Sequence, residues 1–257
     1  MGVCIEVTGG GKTYASARGP VTALADVGLS VREGEFLSLL GPSGCGKSTL
    51  LRAMAGLDPL TAGSIMLRGV PVTAPPERMG MVFQRDVLLD WRSIRDNVLL
   101  AAEFQGLPKR AYEARTMALL ERFGLGAFAD RHPWELSGGM RQRAAICRAL
   151  LCDPEILLMD EPFGALDAMT RDDLNLELSR IQQDGARTVV FVTHSIAEAV
   201  YLSDRVAVMS TGPGRVVEVF EIDLPRPRPL ALRETPEFVA HVGAIRELFS
   251  RLGIVKG

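Results

Sequence analysis

The 257-residue chain has no excess of either charge: 29 Lys and Arg stand against 31 Asp and Glu, a formal net charge of −2. Nucleic-acid binding takes most of its affinity from phosphate neutralisation, so a chain without a basic excess or stripe is not expected to bind DNA or RNA. Arginines do gather at Arg141, Arg143 and Arg148, but on a segment that reads as a helix among apolar residues. Cysteine is sparse. Cys4, Cys45, Cys147 and Cys152 form no CxxC pair and have no histidine at metal-ligand spacing, which points to reduced thiols in a reducing compartment. No run reaches the roughly 18 apolar residues needed to cross a bilayer, and the start of the chain lacks a basic segment followed by an apolar one. Any membrane role is therefore expected to come from a partner. Internal repeats and low-complexity segments are also lacking. What remains, 47% hydrophobic and 23% charged, is the composition of a globular protein. Its length suits one large α/β domain or one domain with a substantial insertion.

Short strand-like runs at Cys4 to Val7 and Val27 to Val31 alternate with glycine turns, and Phe36 to Leu40 reads as a buried strand. A glycine-rich loop follows, then a helix from Ser48 closed by Gly56. From about Asp86 to Leu151 the character is helical, with periodic apolar residues over Ala111 to Phe123 and again over Gly138 to Leu151. Strands return at Ile156 to Met159 and Thr188 to Thr193 around a helix of about Ala168 to Gln183, the rhythm of a mainly parallel sheet. The core is thus expected to be discontinuous, with a helical subdomain inserted over about 86–151 of a domain covering 1–225. After strands at Val206 to Met209 and Val216 to Phe220, Pro225, Pro227 and Pro229 read as a linker. Residues 226–257 hold that linker and a final helix, whose apolar stripe is Phe238, Val242, Ile245, Phe249 and Leu252. Such a stripe either packs on its own domain or binds a partner.

Two segments carry chemistry by their residue types alone. Gly41-Pro42-Ser43-Gly44-Cys45-Gly46-Lys47-Ser48 matches the phosphate-binding P-loop, between the strand and the helix that this motif requires. Its glycines let successive N–H groups point at phosphate oxygens at the positive end of a helix. Lys47 then reaches the β- and γ-phosphates, and the Ser48 hydroxyl is a ligand for Mg²⁺. The second segment, Ile156-Leu157-Leu158-Met159-Asp160-Glu161, is an apolar strand tipped by two carboxylates. Asp160 suits a Mg²⁺ role and Glu161 a base for the attacking water. Alone, the pair could also be read as solvated turn residues before Pro162. A P-loop with acids describes a very large class of nucleotide hydrolases and leaves function open.

Leu136-Ser137-Gly138-Gly139-Met140-Arg141-Gln142-Arg143 narrows the class, because it resembles the signature sequence of ABC ATPases. Ser137 and two glycines at a helix start make a second anion-binding nest; capping alone would need no glycine pair. The resemblance extends over about residues 4 to 220 and implies the family's fold: a RecA-like P-loop NTPase core, an N-terminal antiparallel β subdomain and the helical insertion. It further implies an ATP site of Gly41 to Ser48 with Thr49, a signature acting in trans through Ser137, Gly138 and Gly139, and Mg²⁺ held by Ser48, Gln84 and Asp160. Gln84 resembles the Q-loop residue and, with Glu161 and His194, belongs to the catalytic set. Gly164-Ala165-Leu166-Asp167 resembles the D-loop, and His194 the switch histidine. Tyr14 resembles the aromatic that stacks on adenine, although an aromatic after a glycine turn serves equally as core.

Within the family, Leu88-Leu89-Asp90-Trp91, Arg95-Asp96-Asn97-Val98, Gly212-Pro213-Gly214-Arg215-Val216-Val217 and Asp223-Leu224-Pro225-Arg226-Pro227-Arg228 look like the nitrate/sulfonate/taurine importer ATPases. Two departures stand out: Asp90 where relatives commonly have proline, and Ser195 after His194 where they commonly have aspartate. The resemblance implies a head-to-tail homodimer lying peripherally at the cytoplasmic face of the inner membrane. Its partners would be membrane permease subunits and, indirectly, a solute-binding protein. Asp90 and Trp91 are then expected in a groove for a permease helix, unless Trp91 is core. The rival class is a soluble ABC protein acting on nucleic acid or ribosomes. Those proteins resemble this one less, since they carry a long coiled coil or two ATPase modules. Nothing in the residues names the solute.

Overall fold

A computed structural model describes residues 2–17, 19–164, 166–185 and 187–254, with the backbone alone at 183–185. Ala165, in the D-loop segment, lies outside the described residues. In chain order the elements are β1 (Val3–Tyr14), β2 (Val21–Arg32), β3 (Phe36–Leu40), α1 (Lys47–Met54), β4 (Ala62–Leu67), β5 (Val70–Pro71) and β6 (Met79–Val82). Then come α2 (Ile94–Phe104), α3 (Lys109–Arg122), α4 (Gly138–Leu150), β7 (Ile156–Asp160) and α5 (Ala168–Gly185). The chain closes with β8 (Thr188–Thr193), α6 (Ile196–Leu202), β9 (Arg205–Met209), β10 (Val216–Glu221) and α7 (Pro236–Arg251). These form two compact units, Met1–Glu77 with Asp172–Gly257, and Arg78–Arg171.

In the first unit, β2, β1, β4 and β5 form an antiparallel sheet in that order. Leu24, Val27, Leu29 and Val31 turn one face of β2 inward, as in a sheet covered on one side. β3 pairs in parallel with both β8 and β9, and β9 pairs antiparallel with β10. Every residue of β3, β8 and β9 is buried. Such continuous apolar runs are what parallel strands covered on both faces require.

The second unit holds α2, α3 and α4 together with β6 and β7, which pair in parallel with Met79 opposite Ile156 and Val82 opposite Met159. It is wider than the helical stretch of about 86–151 read from the sequence, because this strand pair brackets the helices. Its core includes Val98 of α2, Leu120 of α3 and Ile146 of α4.

The proline series after Leu224 reads as a linker from its sequence but is a fastened strap in the structure. Arg228 is 3% exposed and donates from Nη1 to the carbonyls of Val200, Tyr201 and Ser203, and from Nη2 to those of Ile222 and Leu224. Burial pushes its guanidinium pKa down to about 10, so the group stays charged at neutral pH. The Tyr201 hydroxyl donates to the Arg228 carbonyl at 2.5 Å, and Arg226 bonds to Asp204 and the Leu202 carbonyl. Prolines suit such a strap, since they lack the N–H donors that would need partners of their own. Beyond it, α7 packs against α6 and buries Phe238, Ile245, Leu248 and Phe249, so the apolar stripe faces its own unit.

Arg228→Met keeps the side-chain bulk and removes the donors on which five buried carbonyls depend. Urea unfolding should show a loss of about 3 kcal/mol. A loss under about 0.5 kcal/mol would mean that the strap does not need its arginine.

Candidate functional site

The phosphate-binding loop lies in the first unit. β3 is buried and ends at Leu40, and the chain turns through Gly41 to Gly46 into α1. Gly44 and Gly46 have φ of 77° and 99°, values that L side chains seldom adopt. A Cβ on Gly46 would also lie 2.8 Å from the Ala23 carbonyl oxygen, and one on Gly41 3.0 Å from that of Met209. Lys47 is 4% exposed, and its ammonium donates to the carbonyls of Gly41 and Pro42, each at 2.9 Å. The charge is thereby held at the loop's mouth. Ser43 and Gly44 are exposed, Ser48 is half-buried, and Thr49 is buried on α1.

The loop's support comes from a segment whose part in it the sequence conceals. The Gly214 N–H donates to the Ala23 carbonyl at 2.9 Å, and the Ala25 N–H to the Gly214 carbonyl at 3.0 Å. A Cβ on Gly214 would lie 1.9 Å from the Cys45 carbonyl oxygen. Gly214 was visible only as part of a subgroup motif; its contact with the P-loop joins positions far apart in sequence.

His194 is exposed directly after β8. Next to it, the Ser195 hydroxyl accepts from the Glu198 N–H at 3.3 Å and caps α6. Serine and aspartate cap helices about equally well, so this departure from the family's aspartate preserves the local structure. Tyr14 ends β1 and is half-buried rather than part of the core.

The second unit carries the acids and the signature. Asp160 is 5% exposed at the tip of β7, and Glu161 follows with φ of 44°. A left-handed glutamate costs on the order of 1 kcal/mol, an observed strain at a carboxylate that chemistry would use. The parallel register of β6 and β7 places Gln84 beside it, with Nε2 donating to Glu161 Oε2 at 3.3 Å. Ser137 caps α4 by accepting from the Met140 N–H at 3.3 Å, with Gly138 and Gly139 in the first turn. A Cβ on Gly139 would meet Leu166 Cδ2 at 2.7 Å. Asp167 caps α5, accepting from the Thr170 N–H and hydroxyl, which hold its carboxyl below the usual carboxylate range.

The arginines of α4 also find their use here. Arg148 donates to the carbonyls of Asp86 and Val87, Arg141 to the Asp86 carboxylate at 2.9 Å, and Gln142 to the Phe83 carbonyl at 3.1 Å. The signature helix therefore grips the loop that bears Gln84. Beside that loop lies a largely apolar cavity of about 430 Å³ whose lining includes Phe83, Val87, Leu89 and Phe104. Asp90 and Trp91, expected in such a groove, are not among its lining residues. Asn97 bonds to Leu89, Arg92 and Ser93 and fixes the turn that leaves Trp91 74% exposed, so Trp91 is not core either.

The family model described as "ABC transporter" matches residues 24–164. The chain belongs to the ABC transporter family. The taurine import ATP-binding protein TauB of Rhizobium johnstonii is 51% identical over 206 residues, covering 80% of this chain and 79% of that one. The nitrate import ATP-binding protein NrtD of Synechococcus elongatus is 47% identical over 222 residues, covering 85% and 81%. Among solved structures, the dimeric ATP-binding cassette MJ0796 bound to ADP and Pi matches with a TM-score of 0.78 at 31% identity, covering 86% of this chain and all of that one. The family and fold expected from the motifs are thus the ones found. As an ABC cassette, the chain binds and hydrolyses ATP.

Gly214→Ala in this ABC cassette should displace the Cys45 carbonyl and with it the P-loop. ATP affinity measured by nucleotide titration should fall at least about tenfold. Wild-type affinity in that variant would show that the loop does not depend on the 212–214 turn.

Proposed function

We propose that this ABC ATPase energises uptake of a small anionic or related solute, of the nitrate, sulfonate or taurine kind, through a separate membrane permease. The observation that carries the chemical part is the Gln84 amide set on a backbone-strained Glu161 carboxylate. That arrangement suits a base that takes the proton of an attacking water while the amide orients it. Lys47 and the P-loop N–H groups bind the β- and γ-phosphates, Thr49 adds to the cradle, and His194 touches the γ-phosphate. Tyr14 stacks on adenine. Ser137, Gly138 and Gly139 of a second copy, arranged head to tail, close over the γ-phosphate, with Asp167 in the D-loop between copies. The hydroxyl, carboxylate and amide oxygens of Ser48, Asp160 and Gln84 are the hard donors that Mg²⁺ takes together with phosphate oxygens and water. When bound, the ion neutralises charge that builds on the phosphates.

Among the described residues no helix is long and apolar enough to cross a membrane. The import reading therefore needs a permease to carry the solute, with the ATPase peripheral at the cytoplasmic face and a solute-binding protein as an indirect partner. It rests on the two importer ATPases at about half identity and on the apolar cavity beside the Gln84 loop, which suits a permease helix.

Glu161→Gln tests the reading. ATP should still bind and hold the two copies together, turnover should fall at least about a hundredfold, and solute uptake by the complex with its permease should cease. Normal turnover would remove Glu161 from the role of base, and uptake without turnover would remove this chain as its energy source.

A further inference from the structure

Tyr14 is held by a cluster that no motif marks. Its hydroxyl donates to Asp58 Oδ2 at 2.5 Å. Lys12, 8% exposed, forms an ion pair with the other Asp58 oxygen and donates to the Pro59 carbonyl at 2.6 Å. The same ammonium lies over the Tyr14 ring, 5.0 Å from its centroid. Lys12 and Tyr14 both belong to β1, and Asp58 lies in the turn that follows α1, the helix opened by Lys47. That turn is laced to β1 nearby, by the Thr61 N–H to the Gly11 carbonyl at 2.8 Å and the Thr13 N–H to Thr61 Oγ1 at 3.0 Å.

We infer that Asp58 is a positioning residue for nucleotide recognition, tethering the Tyr14 ring so that its free face meets the base at a fixed distance from the P-loop. The inference rests on the reading that Tyr14 stacks on adenine. A phenyl ring rotates about its own axis and sways on its Cα–Cβ bond, so stacking on a bound base has to halt both motions. The hydroxyl tether halts the sway before the nucleotide arrives, which lowers the ordering cost of binding. Lys12 adds to this in two ways. Its charge fixes the Asp58 carboxylate, and its seat over the ring covers one face by a cation–π contact, leaving the other for the base. The Lys12 ammonium, followed by the Tyr14 hydroxyl, holds the Asp58 carboxyl below the usual carboxylate range, so it is ionised throughout the neutral range. The tether ties the base-binding strand to the segment after α1, and so couples the two ends of the nucleotide site.

The test compares ATP with inorganic tripolyphosphate, which has phosphates but no ring to stack. Dissociation constants for both are measured on the full chain and on Tyr14→Ala, Tyr14→Phe, Asp58→Asn and the Tyr14→Phe/Asp58→Asn pair. Tyr14→Ala should lose ATP affinity most. Tyr14→Phe and Asp58→Asn should each lose it about three- to tenfold, and the pair should lose no more than Asp58→Asn alone. Tripolyphosphate should bind all variants as it binds wild type, which also shows that the P-loop is folded. If Tyr14→Ala loses ATP while Asp58→Asn and Tyr14→Phe do not, stacking stands and the tether is overturned. If Asp58→Asn loses tripolyphosphate as much as ATP, Asp58 acts on the P-loop and the positioning role is overturned. If Tyr14→Ala binds ATP as wild type does, the stacking reading falls and the tether with it.

Discussion

The curl of residues 41–46 is possible because Gly41, Gly46 and Gly214 have no Cβ where backbone carbonyls approach. A phosphate cradle needs several N–H groups pointing one way, and a chain can offer them only by giving up its own backbone bonding. The loop is braced from outside by a neighbouring turn. Ala23 and Ala25 of β2 hold Gly214, and Gly214 lies against the Cys45 carbonyl. The antiparallel sheet therefore braces the P-loop through Gly214. The lacing of the 58–61 turn to β1 braces the far end of α1 in the same way.

The second unit follows a different rule, in which side chains with many donors hold irregular backbone. Arg148, Arg141 and Gln142 of α4 bind the carbonyls and the carboxylate of residues 83–87. Burial lowers the Arg148 pKa, the mark of a guanidinium kept from water by what it binds. Within the loop they grip, Val87 has φ of 43°, an uncomfortable setting for a β-branched residue. A displacement of this loop carries α4 and its cap Ser137 along unless those bonds break. The loop and the signature helix are thereby fastened to one another.

Local patterns in the sequence made β3 and β7 to β10, parts of β1 and β2, the P-loop, the acid pair and the signature legible, while β4, β5 and β6 went unread. Continuous apolar runs mark β3, β7 and β8, and the glycine spacing of 41–46 has few other uses. The parts that stayed hidden depend on partners distant in the chain. Nothing local says that Arg228 binds carbonyls at 200–203, so the prolines around it read as a linker. Arg141 and Arg148 of α4 read as part of a charge cluster because their acceptors on Asp86 and Val87 lie 55 to 62 positions away. Asp58 gives no sign of Tyr14, 44 positions earlier. Trp91 was expected in a permease groove from its place beside the Q-loop, and nothing local says that Asn97, six positions on, fixes the turn that leaves it exposed.

The proposed head-to-tail dimer pairs the P-loop of one copy with Ser137 of another. It is tested most directly by mixing differently tagged Lys47→Ala and Ser137→Arg chains, each unable alone to build a complete site, and measuring ATP-dependent association together with phosphate release. In a head-to-tail dimer the intact P-loop of the second chain meets the intact signature of the first, while the opposite site carries both lesions. The tagged chains should associate with ATP, and phosphate release should recover in part, above the sum of the separate variants. A mixture that neither associates nor releases phosphate beyond that sum would contradict the pairing.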